Sequence, residues 1–173
     1  MYSNGFVMSK LLYALPAYTT VFDEKTHKEE ESRNTAFTKH LNRRLQTAQC
    51  TALRTVKGLG RETTTAKVLK DSDSMSVQQL AATTILSTAH KVINTTKPKF
   101  LKDRFILNKY NKLKTRSFKL SITAEGFVQT AIRLFNTLPP NLRSEKKPTT
   151  FTKNLKTWIK SNIQLVPQDE GIG

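Results

Sequence analysis

Between Ser76 and Ile93 apolar residues cover more than half of a helix's circumference. The set is Val77, Leu80, Ala81, Ile85, Leu86, Ala89, Val92 and Ile93. A helix that apolar belongs inside a molecule, so other elements must wrap it. Ser76 and Gln79 have capping-box spacing and set its start; Pro98 marks its end or the next start. The clearest wrapping helix runs from about Thr35 to Lys57. On a helical wheel Phe37, Leu41, Leu45, Ala48, Ala52, Val56 and Leu59 fall within an arc of about 100°. Lys39, Arg43, Arg54 and Lys57 fall in a narrow arc on the other side, so the apolar stripe is expected to face the core. Asn34 or Thr35 can cap its start, and Gly58 or Gly60 can end it in a left-handed conformation.

Arg61 to Asp73 reads as a loop with one short helical stretch, Ala66 to Lys70. A third helix covers Glu125 to Asn136 and stops before Pro139-Pro140. The last spans Thr150 to Ile163, with Phe151, Leu155, Trp158 and Ile159 opposite Lys153, Lys156 and Lys160; Trp158 should therefore face the core. Lys97 to Leu120 has no clean period, although Ser117 to Ile122 alternates as a short strand does. The expected fold is mainly α: a small helical bundle with a basic irregular segment and one short strand. The regions are 1–30, a leading helix and acidic loop; 31–96, helical; 97–123, the basic segment; 124–165, helical; and 166–173, a disordered tail.

Charge limits the partners. The chain carries 29 Lys and Arg against 13 Asp and Glu, a formal charge of +16. That excess repels itself in a compact state and favours a polyanion. Nucleic acid is the first candidate and an anionic membrane surface the second. Apolar residues are only 37% of the chain, so the core should be modest. No apolar run reaches the roughly 20 residues that span a bilayer. Leu11 to Ala17 is broken by Pro16 and lacks a basic start, so a secretory signal is not expected. A single cysteine, Cys50, rules out an internal disulfide, and a nuclear or cytoplasmic location is the default.

Little in the sequence points to catalysis. Polynucleotide chemistry needs carboxylates converging on divalent metal ions. The closest aspartates, Asp71 and Asp73, read as helix capping and solvation in a polar loop. His27, His40, His90 and Cys50 lack metal-ligand spacing. Cys50 lies near the basic arc rather than the apolar stripe, yet is expected to pack against an adjoining helix, because free cysteine is usually buried. No catalytic residue, metal or cofactor is assigned.

The strongest signal is Lys97 to Lys119. Nine basic residues, among them Lys109, Lys112, Lys114 and Arg116, face only Asp103. Phe100, Phe105, Tyr110 and Phe118 are interleaved with them. Basic side chains neutralise phosphates, and aromatic rings can stack on unpaired bases. The charges suggest contact with nucleic acid, whereas the aromatics are read as core anchors, since phenylalanine is mostly buried.

Several stretches resemble one family. Leu134-Phe135-Asn136-Thr137-Leu138-Pro139, then Leu142-Arg143, then Phe151-Thr152-Lys153-Asn154-Leu155-Lys156 follow a run typical of the C-terminal regions of LINE-type (non-LTR) retrotransposon reverse transcriptases. Upstream, Leu45, Gln49, Leu53-Arg54 and Gly58 match a helix of that family in order, and Ser9 to Ala14 resembles the helix just past its palm. Phe135 stands where the family usually has Trp, and Ala14 where it has Gly. The aromatic-Ala-Asp-Asp polymerase signature is absent, and the sequence has no Asp-Asp pair. The resemblance implies a thumb and post-thumb region that grips RNA or an RNA–DNA duplex beside separate polymerase domains. Arg54, Lys57, Arg43 and Lys39 are the helix residues it points to. The expectation is a non-catalytic fragment of an RNA-directed DNA polymerase. The alternatives are a decayed product without independent function and a domesticated protein-interaction module.

Overall fold

A computed structural model describes residues 33–95, 97–115 and 127–162; within 33–41 only His40 has a described side chain. Among the described residues seven helices follow in order: α1 (Arg33–Lys57), α2 (Thr65–Asp71), α3 (Val77–Thr95), α4 (Lys99–Lys102), α5 (Phe127–Thr137), α6 (Pro140–Arg143) and α7 (Pro148–Asn162). The fold is mainly α, as the periodicities require. The alternating stretch Ser117 to Ile122 lies outside the described residues, as do the leading region and the tail.

α3 is the buried helix. Ala81, Ala82, Ile85, Leu86 and Ala89 are fully enclosed, and α7 and α5 pack along it. From α7 come Phe151, Leu155 and Ile159; from α5, Ala131, Ile132 and Phe135. Trp158 is half-buried at the edge of this core rather than inside it. His90 of α3 stacks on Phe151 with ring centroids 3.9 Å apart, and its Nε2 lies 2.7 Å from the Glu145 carbonyl.

The start of α3 is held twice. Within the chain segment itself the capping box forms: the Ser76 amide donates to Gln79 Oε1 (3.0 Å), and the Gln79 amide to Ser76 Oγ (3.3 Å). From α1, Gln46 Oε1 accepts the Val77 amide (2.9 Å), Gln46 Nε2 donates to Gln49 Oε1 (3.1 Å), and Gln49 Nε2 donates to the Met75 carbonyl (2.8 Å). Free amides at a helix start are costly to bury unpaired, so this relay fixes how α1 sits.

It sits differently from the sequence expectation. Among the described side chains, the buried face of α1 is Asn42, Gln46, Gln49, Cys50 and Leu53. That face is turned about 110° from the apolar stripe. On the stripe, Ala48 is exposed, Val56 is 49% exposed, and Leu45, Ala52 and Leu59 are half-buried. The basic arc therefore flanks the buried face instead of opposing it. Cys50, 1% exposed, forms a second small core with Leu53, Val68 and Leu69, as expected of a free cysteine.

α1 ends at Gly58, whose φ of 66° is left-handed. The Gly58 amide donates to the Thr55 carbonyl (3.4 Å) and the Leu59 amide to the Arg54 carbonyl (2.9 Å), the paired bonds of a Schellman stop. At the other end α1 is already helical at Arg33, so Asn34 and Thr35 lie within the helix and do not cap it.

Candidate nucleic-acid interface

Over its described residues, 97–115, the basic segment is built from two short pieces rather than one long element. The first is α4, a single turn. Lys102 Nζ donates to the Ile93 carbonyl at 2.9 Å and ties that turn to the last turn of α3. Leu101 packs towards the main core, and Phe100, its neighbour, is left 72% exposed.

The second piece is a tight hairpin. The Lys114 amide donates to the Ile106 carbonyl and the Asn108 amide to the Lys112 carbonyl, both at 2.8 Å, with Leu107 and Leu113 bridged between them. Asn108 organises the tip: its Oδ1 accepts the amides of Tyr110 (2.9 Å) and Lys112 (3.0 Å). Asn111 takes a left-handed φ of 55°, which asparagine tolerates better than most residues. Phe105 and Leu113 enter the main core and pin the base of the hairpin. Asn136 of α5 then clasps it. Asn136 Oδ1 accepts the Leu113 amide (2.8 Å), and its Nδ2 donates to the Leu113 carbonyl (2.9 Å), as a neighbouring strand would.

This anchoring leaves a row of groups in solvent. Lys99, Arg104, Lys109, Lys112 and Lys114 are all exposed. Tyr110 is 67% exposed, with Lys109 Nζ 5.0 Å from its ring centroid. The core reading holds for Phe105 and fails for Phe100 and Tyr110: the inward side of α4 is taken by Leu101, and Tyr110 lies at a turn that reaches no core. Phe118 lies outside the described residues.

The residues assigned to nucleic acid thus fall into two groups. Lys109, Lys112 and Lys114 share the hairpin; Arg116 lies outside the described residues. On α1, Arg43 and Lys57 are exposed, and the Lys39 side chain is not among those described. Arg54 is half-buried, and its Nε and Nη2 both donate to the Thr63 carbonyl, at 3.2 and 2.6 Å. Its position beside the buried face explains this: the guanidinium closes the loop after Gly58. Arg54, expected on a free basic arc, is thus committed to the fold by its bonds to the Thr63 carbonyl. Two residues that sequence reasoning missed are Asn108 and Asn136. The Asn-Lys-Tyr-Asn run is a turn signal for the first; the second lies in the quoted Leu134–Pro139 run but gives no sign of its partner.

Other candidates have ordinary structural roles. Asp71 and Asp73 do not cap α3; Ser76 does. Asp73 pairs with Lys160 Nζ at 2.8 Å on the surface, and this hydrogen bond and charge lower its pKa. Arg143, from the quoted Leu142-Arg143 pair, is half-buried with Nε and Nη1 enclosed and unpartnered. Among the described residues no three His, Cys, Asp or Glu side chains gather as a metal site requires. None of the described helices is long and apolar enough to cross a membrane. In comparisons with known proteins, no family model, no curated protein and no solved structure matches the chain.

Proposed function

We propose that this chain binds nucleic acid, RNA or an RNA–DNA duplex, and that it does so without catalysis, as the thumb and post-thumb part of a LINE-type reverse transcriptase. The observation that carries the binding is the hairpin with α4: five exposed cations and two exposed rings between Lys99 and Lys114, on backbone pinned to the core. Cations carried on a backbone that is already held release counterions from phosphates without the cost of ordering the loop. The family part rests on the ordered motifs of the sequence. Their residues have coherent structural duties: Gln49 holds the start of α3, Arg54 closes a loop, Gly58 ends a helix and Asn136 clasps the hairpin.

The test is a titration of labelled RNA and RNA–DNA duplex with the purified chain. Binding should weaken along a straight line in log K against log salt between about 50 and 200 mM. Absence of binding even at the lowest salt overturns the proposal. A second reading, a protein-interaction module, has one observation in its favour: Val56 and Ala48 leave the apolar stripe of α1 open to solvent.

A further inference from the structure

We infer that the surface formed by α4 and the hairpin selects unpaired nucleic-acid strands over duplex, with Phe100 and Tyr110 as stacking rings. The inference rests on the nucleic-acid reading above and adds the class of strand.

The argument begins with what a duplex offers. Its bases are stacked on one another, so it presents phosphates and groove edges but no free base faces. Exposed cations serve either form. Exposed rings serve only a strand whose bases are free to stack. Burying a phenylalanine is normally favourable, so a ring left 72% exposed in a chain with a modest core needs a reason. Here the neighbouring Leu101 turns inward while Phe100 turns out, and the turn is locked by Lys102 on the Ile93 carbonyl. Tyr110 is held likewise: Asn108 fixes its amide, and the hairpin beneath is clasped by Asn136.

Cations neighbour each ring along the chain, and Lys109 Nζ lies 5.0 Å from the Tyr110 ring centroid. Lys99 precedes Phe100, and Lys109 and Lys112 surround Tyr110. A strand running across this surface meets a ring for its bases and ammonium groups for its phosphates. The same composition can suit an anionic membrane, but the layout argues otherwise. The hairpin tip is Asn108, Lys109, Tyr110, Asn111 and Lys112, so inserting it in lipid buries two lysines and two amides with one ring. Ile106, Leu107 and Leu113, its aliphatic residues, sit at the base and not at the tip.

The experiment uses the full chain and three probes: a single-stranded RNA of about 12 nucleotides, a duplex of the same length, and phosphatidylserine vesicles. Because both rings are exposed, Phe100→Ala and Tyr110→Ala should leave circular dichroism and Tm unchanged. Each substitution should weaken single-strand binding about tenfold, as stacking losses do, and duplex binding less than twofold. Tyr110→Phe should restore the single-strand affinity. Equal losses on both nucleic acids, or no loss on either, overturn strand selection while the nucleic-acid reading stands. Wild-type binding to neither nucleic acid overturns that reading and this inference with it. Loss of vesicle binding with single-strand affinity intact assigns the surface to lipid and overturns the inference.

Discussion

The hairpin and the C-terminal half of α1 both carry clusters of basic residues, and they use them differently. On the hairpin, backbone and amide side chains do the holding: Asn108 sets the tip, Asn136 clasps Leu113, and the lysines are left to solvent. On α1 the basic arc borders the buried face, and Arg54 is spent on the Thr63 carbonyl. Positive charge in a sequence is therefore not equivalent to positive charge available to a ligand. What separates the two is which groups anchor the local backbone.

The difference can be pressed from both sides. The largest effect is expected at the clasp. Asn136→Ala leaves the Leu113 amide and carbonyl without their partner, and should cost about 2–6 kcal/mol in chemical denaturation, at about 1–3 kcal/mol for each orphaned group. It should also weaken nucleic-acid binding, since the platform loses its rigid base. Normal stability in this variant breaks the claim that the hairpin is clasped. Next comes Arg54→Ala, expected to cost about 1–3 kcal/mol through two hydrogen bonds from a charged donor. It should leave the salt slope of binding almost untouched; a flattened slope with unchanged Tm would return Arg54 to the ligand-binding set. The smallest effect belongs to Asp73 and Lys160. The folded carboxylate has a lowered pKa, so its contribution is present above the unfolded aspartate pKa and fades as pH falls through the lowered one. Asp73→Asn should therefore lower Tm slightly at neutral pH, and the gap to wild type should close in acid. A gap that persists in acid would assign the loss to something other than this ion pair.

How much of this was legible differs between two helices. α3 is legible down to its capping box, because its burial follows its apolar residues and its start is encoded within four positions, Ser76 to Gln79. α1 lies where its periodicity puts it along the chain but is rotated away from the face its apolar stripe predicts. Its apolar stripe is strong, yet the amides of Gln46 and Gln49 meet the start of α3, 31 and 26 residues away along the chain. Satisfying buried backbone groups outweighs partial burial of alanine and valine. No local pattern reveals a bond of that reach. Within the candidate interface, the charges and rings were visible as residue types. That Phe105 is buried while Phe100 and Tyr110 are exposed depends on a one-turn helix and a hairpin too short to leave a period.

Salt dependence compared between two variants measures the central claim, that the hairpin is the interface. In one variant Lys109, Lys112 and Lys114 become Gln; in the other Arg43 and Lys57 do. All five side chains are exposed, so both variants should fold as wild type. The account predicts that the hairpin variant flattens the slope of log K against log salt on single-stranded RNA by roughly 2 units, at about 0.7 per lost phosphate contact. The α1 variant should change it much less. A slope unchanged in the hairpin variant and flattened in the α1 variant would contradict the account and move the interface to the helix.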